Sequence, residues 1–316
     1  MSGRSKVIII TGASSGIGRA TALRAADHED HLVLVARGAG ALEDVARECR
    51  ASGAASVMVL PCDVGDDSAV AACFEKALTA HSVIDAVVHA AGVVAYGRTE
   101  EIPPDVFDGV LRTNLTGSVN VARHAVSTFR TQRAGTLVLI GSVIGHISVP
   151  SMSPYVISKW GIRALARQLL VENRDMPGVH IAYVAPGGVD TPIYEQAANY
   201  DGHIGRPPPP IATPEKVARI ALRLLERPRA RSQVNLSNEV IRLGFSVLPG
   251  IFDMLVGPLF RLAAIDGTSP IEPHRGNVLA SHEAGNKLHG GQRGALAGIA
   301  RNALARVRVA ASGSAK

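Results

Sequence analysis

Short apolar runs rich in β-branched residues recur along the first two hundred positions. They lie at Lys6–Ile10, Leu32–Val35, Ser56–Leu60, Ile84–Val88, Thr136–Ile140 and His180–Val184. The runs are continuous rather than alternating, which predicts strands buried on both faces. Stretches of helical period separate them. In Ala41–Ala51, for example, Leu42, Val45, Ala46 and Cys49 recur at helical spacing. Pro154–Val171 also reads as helix. Strand alternating with helix predicts an α/β fold: a doubly wound parallel sheet of about seven strands, built from right-handed βαβ units, with helices on both faces. Gln233–Leu236 supplies the seventh strand.

The pattern then changes. Asp201–Pro214 is irregular and holds the four-proline run Pro207–Pro210, which can join neither a helix nor a central strand. It follows the sixth strand, at the sheet edge where open α/β sheets bind ligands, and reads either as a lid over a site or as a surface linker. Val240–Ala264 is apolar and long enough for a membrane span, but Arg242, Asp253 and Arg261 interrupt it and Pro249 and Pro258 would kink it. It reads instead as helices packed on the body or a partner, or as a segment lying in a membrane interface. Three parts follow: residues 1–237 as a dinucleotide-binding and catalytic domain, 238–290 as an apolar helical extension, and 291–316 as a basic, mobile tail.

Charge sharpens this division. The net charge is +6, and Pro273–Lys316, with seven basic residues and one acid, carries all of it. The tail is therefore either solvated or directed at an anionic surface, and with residues 240–264 it offers a peripheral membrane contact. Aromatic residues make up 4% of the chain, too few for the stacking platforms of a single-strand nucleic-acid binder. Cys49, Cys62 and Cys73 have no CxxC spacing, and the 11 histidines have no ligand spacing, so no metal site is expected and the thiols read as buried in a reducing compartment. The run after Ser5 is too short for a secretory signal, which points to a cytoplasmic protein.

The candidate chemistry begins where the first strand meets the first helix. Gly12, Ser14, Ser15, Gly16, Ile17 and Gly18 belong to the run Thr11–Gly18. Glycines there permit a tight turn, close approach of backbone to a pyrophosphate and close packing of helix on strand, as in a Rossmann-type nucleotide fold. The helix start presents free N–H groups to the anion. The second strand ends at Ala36-Arg37, with no acid for a ribose 2′-hydroxyl but a guanidinium for a 2′-phosphate. That favours NADP(H) over NAD(H). Asp63, followed by Val64, is placed to reach the adenine, or else to cap the next helix.

Tyr155 and Lys159 stand four apart, on one face of a helix. A phenol titrates near 10 in water and is a poor acid or base at neutral pH; a neighbouring ammonium favours phenolate. Ser142, just past the fifth strand, falls at the same sheet edge as the glycine loop.

Taken together, the chain resembles the short-chain dehydrogenases/reductases over roughly residues 5–237. The matching motifs are Thr11–Gly18, Asn114, Ser142, the run from Tyr155 to Lys159 and the run from Pro186 to Thr191. The resemblance implies a tetrad of Asn114, Ser142, Tyr155 and Lys159. In it Tyr155 exchanges a proton with the substrate oxygen, Ser142 steadies that oxygen, and Lys159 lowers the Tyr pKa and binds ribose. Asn114 holds a water that links Lys159 to solvent. It also implies that Pro186, Gly187, Val189 and Thr191 form the turn that holds the nicotinamide carboxamide.

The family usually carries Asn-Asn-Ala-Gly after the fourth strand, where this chain has His89-Ala90-Ala91-Gly92. Ala91 and Gly92 still admit the cofactor backbone-close, and His89 reads as a strand brace or a catalytic group. His146 reads as pocket-lining or surface loop, Tyr194 as substrate-facing or as cover, and Trp160 as a helix or subunit contact. The expected reaction is hydride transfer between NADP(H) and a small-molecule ketone or secondary alcohol, of lipophilic character. A non-catalytic NADP(H)-binding regulator and a lyase or epimerase are the alternatives. Pairing through Pro104–Arg133 and Pro154–Arg174 would give a homodimer or homotetramer.

Overall fold

Val7–Thr11 forms the first strand, β1, in a computed structural model that describes residues 5–235 and 237–291. Its pleat sends Ile8 and Ile10 into one apolar layer and Ile9 into another. The continuous run is thus two alternating faces, each covered. Helix α1 (Gly16–Ala26) follows, then β2 (His31–Ala36), α2 (Ala39–Ala51), β3 (Ser56–Pro61), α3 (Asp67–His81) and β4 (Ala86–His89). A two-residue strand β5 (Ala95–Tyr96) precedes α4 (Pro104–Leu111) and α5 (Gly117–Gln132), which a π-helical turn at Arg112–Thr116 joins. The chain continues through β6 (Gly135–Ile140), α6 (Ser153–Glu172), β7 (Val179–Ala185), β8 (Ala198–Asn199), β9 (His203–Gly205), α7 (Pro214–Glu226) and β10 (Arg231–Gln233).

Seven strands build one parallel sheet in the order β10-β7-β6-β4-β1-β2-β3. Side chains of α1, α2 and α7, such as Ala22, Leu42 and Val217, cover one face; Phe74, Val121 and Ile162 from α3, α5 and α6 cover the other. The strand order reverses between β1 and β4, which opens a crevice beyond their carboxyl ends. The seventh strand begins two residues earlier than its apolar pattern suggests, because Arg231–Gln233 take the edge beside Tyr183–Ala185; Leu236 lies outside the described residues.

Ser237–Val247 and Pro249–Ala263 are helices α8 and α9, broken at Leu248 where Pro249 starts the second. They expose an apolar face that includes Leu243, Val247, Met254 and Leu259. Phe245 of α8 meets Trp160 of α6 edge-on, with ring centroids 6.1 Å apart. The extension then becomes strand β11 (Ile265–Pro270), antiparallel to β9, and an irregular segment that returns across the sheet edge. No helix among the described residues is long and apolar enough to cross a membrane. The basic tail beyond residue 291 lies outside the described residues.

Candidate active site

Gly12 adopts φ +68° and Gly16 φ +48°, left-handed conformations that side chains resist. A Cβ on Gly12 would stand 2.7 Å from the Ala91 amide nitrogen, and one on Gly18 2.1 Å from the Gly12 carbonyl oxygen. The loop is thus folded onto itself and onto the end of β4, with the start of α1 facing the crevice. A cleft open to solvent lies there. Gly12, Ser14, Ser15, Gly16 and Ile17 line one side. Arg37, Asp63 and Val64 line the end beyond β2 and β3, while Ala91, Gly92 and Thr191 line the other end. The glycine cradle and the residues that line both ends of the cleft fit a dinucleotide.

Six of the expected cofactor residues stand outside the lining: Tyr155 and Lys159, in the polar cluster that adjoins it, and Gly18, Pro186, Gly187 and Val189. Gly18 packs against Gly12, as described. Pro186 uses its carbonyl to accept from Val143 N–H at 2.8 Å, and Gly187 packs against the buried Asn238 amide. Val189 is buried and its carbonyl accepts from Thr191 N–H. These residues shape the turn that presents Thr191. The capping role open to Asp63 falls instead to Asp66, whose carboxylate accepts from the N–H groups of Ser68 and Ala69 at the start of α3. Asp63 accepts from Gly65 N–H and pairs with Arg112 at 3.4 Å.

Beside Gly92 the cleft adjoins a cluster of polar side chains. A Cβ on Gly92 would lie 3.4 Å from Asn114 Oδ1 and 3.9 Å from Lys159 Nζ, which places both groups beside this end of the cleft. Asn114 is fully buried, in the π-helical turn rather than in a regular helix. Such turns widen the helix and re-aim a side chain. Its Oδ1 accepts from Val93 N–H at 2.8 Å, and its Nδ2 donates to Val93 O and to Ser158 Oγ.

Lys159 is buried, and its ammonium donates to Ile140 O at 3.1 Å. Nζ lies 5.4 Å from the centroid of the Tyr155 ring. Burial lowers the Lys159 pKa to about 8. Burial raises that of Tyr155 well above the ordinary phenol value, and a hydrogen bond with Ser142 opposes it. Desolvation is the larger effect on Tyr155, and Ser142 rather than Lys159 works against it.

Ser142 is itself held by a residue the sequence did not single out. Tyr183 Oη donates to Ser142 O at 3.2 Å and accepts from Ser142 N–H at 3.4 Å. A Cβ on Gly141 would overlap that phenol, at 2.3 Å from its oxygen. His89, of the two roles open to it, braces the strands. Its Nδ1 lies 2.8 Å from Thr11 Oγ1, a hydroxyl that also accepts from the Ala90 and Ala91 amides. It is buried, its Nε2 has no hydrogen-bond partner, and burial with the nearby Lys159 charge lowers its pKa to about 3. His146 lines a different cavity, with Trp160, Arg163 and Tyr183. Tyr194 and Tyr155 both pack in an apolar cluster with Val94, Met152, Ile193 and Phe260.

The sequence pattern of the short chain dehydrogenases matches residues 6–201. The chain belongs to the short-chain dehydrogenase family. Over 204 residues it is 32% identical to Dehydrogenase/reductase SDR family member 7B of Bos taurus, a match covering 63% of this chain and 62% of that one. It therefore spans less than two thirds of the bovine relative. Over 200 residues it is 35% identical to the sepiapterin reductase of Chlorobaculum tepidum, covering 60% of this chain and 79% of the relative. Among solved structures, an alcohol dehydrogenase from the archaeon Thermococcus sibiricus, complexed with 5-hydroxy-NADP, superposes with a TM-score of 0.63 at 28% identity, covering 73% of this chain and 96% of that chain. A levodione reductase superposes with a TM-score of 0.64 at 25% identity, covering the same shares. The family to which the chain belongs is one of NAD(P)-using oxidoreductases.

The cleft also has a wall that no sequence motif announced. Asn277, Ser281, His282 and Asn286, from the segment beyond β11, close its outer side.

Proposed function

We propose that the chain is an NADP(H)-dependent oxidoreductase acting on a ketone or secondary alcohol of lipophilic character. The observation that carries this reading is the convergence of Ser142, Tyr155, Lys159 and Asn114 beside Gly92, where the cofactor cleft ends. Gly12, Ser14, Ser15, Gly16, Ile17 and Gly18 would hold the pyrophosphate and adjoining ribose, Asp63 and Val64 the adenine, and Ala91, Gly92, Pro186, Gly187, Val189 and Thr191 the nicotinamide half. Arg37 at the end of β2 would recognise the 2′-phosphate, and the related archaeal enzyme complexed with an NADP derivative supports that preference. When bound, the nicotinamide supplies or accepts the hydride.

The chain's own groups handle the proton. Tyr155 Oη gives it to the substrate oxygen in reduction and takes it back in oxidation. Ser142, held at its backbone by Tyr183, orients that oxygen. Lys159 places a buried positive charge near the phenol and would hold the nicotinamide ribose. Asn114, fixed by its bonds to Val93 and Ser158, would hold the water that connects Lys159 to solvent. The apolar surroundings of Tyr155, from Val94 and Met152 to Tyr194 and Phe260, support a lipophilic substrate.

We also place the division of the chain at residues 237 and 290, and assign the enzyme to the cytoplasm, where its three buried free thiols persist. Self-association through α4–α5 and α6 would give a homodimer, because α8 already covers part of α6 at Trp160. The exposed apolar face of α8 and α9 supports peripheral contact with a membrane.

Tyr155→Phe tests the chemistry. It removes the proton donor while preserving the ring, so turnover of any accepted substrate should vanish while the Kd for NADPH stays within about twofold. Full activity in that variant would overturn the mechanism.

A further inference from the structure

The groups assigned to a 2′-phosphate are already engaged in this structure, by the chain itself. Arg37 Nη2 donates to Asn277 O at 2.5 Å and Nη1 to Val278 O at 3.0 Å. Helix α2 starts two residues later, and its N-cap, Gly38, offers no side chain to the free amides. The Glu283 carboxylate fills that role: Oε2 accepts from Ala41 N–H at 2.8 Å. The fit depends on two glycines. A Cβ on Gly38 would lie 2.9 Å from Oε1 and one on Gly40 2.8 Å from Oε2. A carboxylate on the first turn of a helix that starts two residues past Arg37, at the end of β2, sits where an anion is favoured.

The segment is anchored at both ends. Asn277 exchanges hydrogen bonds with the buried Gln196, its N–H to Gln196 O at 2.9 Å and its Nδ2 to Oε1 at 3.0 Å. Val278 is buried among Val93, Val106 and Val110. At the other end, Lys287 O accepts from Gly16 N–H at 2.9 Å, on the phosphate loop itself.

We propose that residues 277–287 are a built-in competitor for the cofactor's 2′-phosphate, with the Glu283 carboxylate occupying its seat at the start of α2. This rests on the reading of Arg37 as the 2′-phosphate residue. Glu283 holds the Ala41 amide and the Asn277 and Val278 carbonyls hold Arg37, so a dinucleotide whose 2′-phosphate takes these donors must lift Glu283 and its segment off before it docks. A dinucleotide with a free 2′-hydroxyl brings no conflict with Glu283; either dinucleotide must displace Lys287 O from Gly16 N–H, so that cost is common to both. The affinity for NADPH then equals its intrinsic value reduced by the fraction of molecules with the seat open, while NADH escapes that reduction.

The test uses the full chain carrying Glu283→Ala, with NADPH and NADH titrated by nicotinamide fluorescence. The expected result is an NADPH Kd at least about fivefold lower and an NADH Kd within about twofold of the parent. A second measurement follows amide exchange of residues 277–287. In the parent chain, 2′,5′-ADP should speed that exchange and 5′-AMP should not. Unchanged or weaker NADPH binding in the variant, equal tightening of both dinucleotides, or no release of the segment by 2′,5′-ADP each overturns the proposal. The underlying reading fails separately. A parent that prefers NADH, with a variant that gains only in NADPH, removes the NADP(H) assignment and keeps the competitor. A parent that prefers NADPH, with an indifferent variant, does the reverse.

Discussion

His89 stands where this family usually has asparagine, and its burial makes that exchange measurable. The imidazole is 2% exposed, bonded through Nδ1 to Thr11 and neutral, with its pKa lowered to about 3 by burial and by Lys159. In the unfolded chain the same group titrates near 6.5. The sign follows from which state binds the proton. Between pH 6.5 and 3 the unfolded state is protonated and the folded state is not, so stability falls as pH falls through that window. Integrated from well above 6.5 down to pH 5, the loss is about 2 kcal/mol for this residue alone. His89→Asn keeps a hydrogen-bonding group for Thr11 and removes the titration. Urea unfolding of parent and variant at pH 7.5, 6 and 5 isolates the difference, since the remaining groups cancel. The gap between the two stabilities should shift by about 2 kcal/mol in the variant's favour from pH 7.5 to 5. Curves that stay parallel within about 0.5 kcal/mol would show that the buried neutral imidazole does not set the acid limb.

Lys159 gives the opposite limb. Its lowered pKa, about 8, means the buried ammonium costs stability at neutral pH, and the cost is relieved as pH rises from 8 toward the unfolded value. Without nucleotide, the parent should therefore gain about 2–3 kcal/mol relative to Lys159→Met between pH 7 and 10, read by denaturant unfolding; a constant difference would refute the assignment. Gly18→Ala places a methyl 2.1 Å from the Gly12 carbonyl oxygen, against backbone that cannot yield cheaply. NADPH binding should be lost, with a lower Tm, and a variant that binds normally would show that the loop is looser than described.

The part of the fold legible in the sequence is the part whose pattern reports burial directly. Six of the seven sheet strands fall on their apolar runs because residues such as Ile8–Ile10 are covered on both faces. The seventh is displaced because Arg231–Gln233 owe their strand to pairing with β7 at an edge, not to apolar side chains. Tyr155 and Lys159 could be read together because four-residue spacing fixes a shared helix face. Tyr183 could not. It looks like one more core residue of an apolar strand, and only the tertiary structure brings its hydroxyl to Ser142. The π-helical turn at Asn114 left no mark either, since weak helix formers such as the Thr and Asn of Arg112–Thr116 do not distinguish a widened turn from an ordinary one. Arg37 is the instructive case. Its residue type suggested an anion partner, but the bonds it makes run to carbonyls 240 and 241 positions away, which no local pattern encodes.

That separation in sequence has a consequence for how the protein is made. The strand that completes the central sheet ends at Gln233, and Glu283 follows some fifty residues later. At about 5–20 residues per second, several seconds of translation pass between the two. During that interval the nascent sheet carries its glycine loop, Arg37 and the bare first turn of α2, while the segment that later covers them, from Asn277 to Lys287, is not yet complete. A nucleotide captured by the growing chain would meet no rival, so the first cofactor each molecule holds can be set by the dinucleotide pool around the ribosome rather than by the finished protein's own preference.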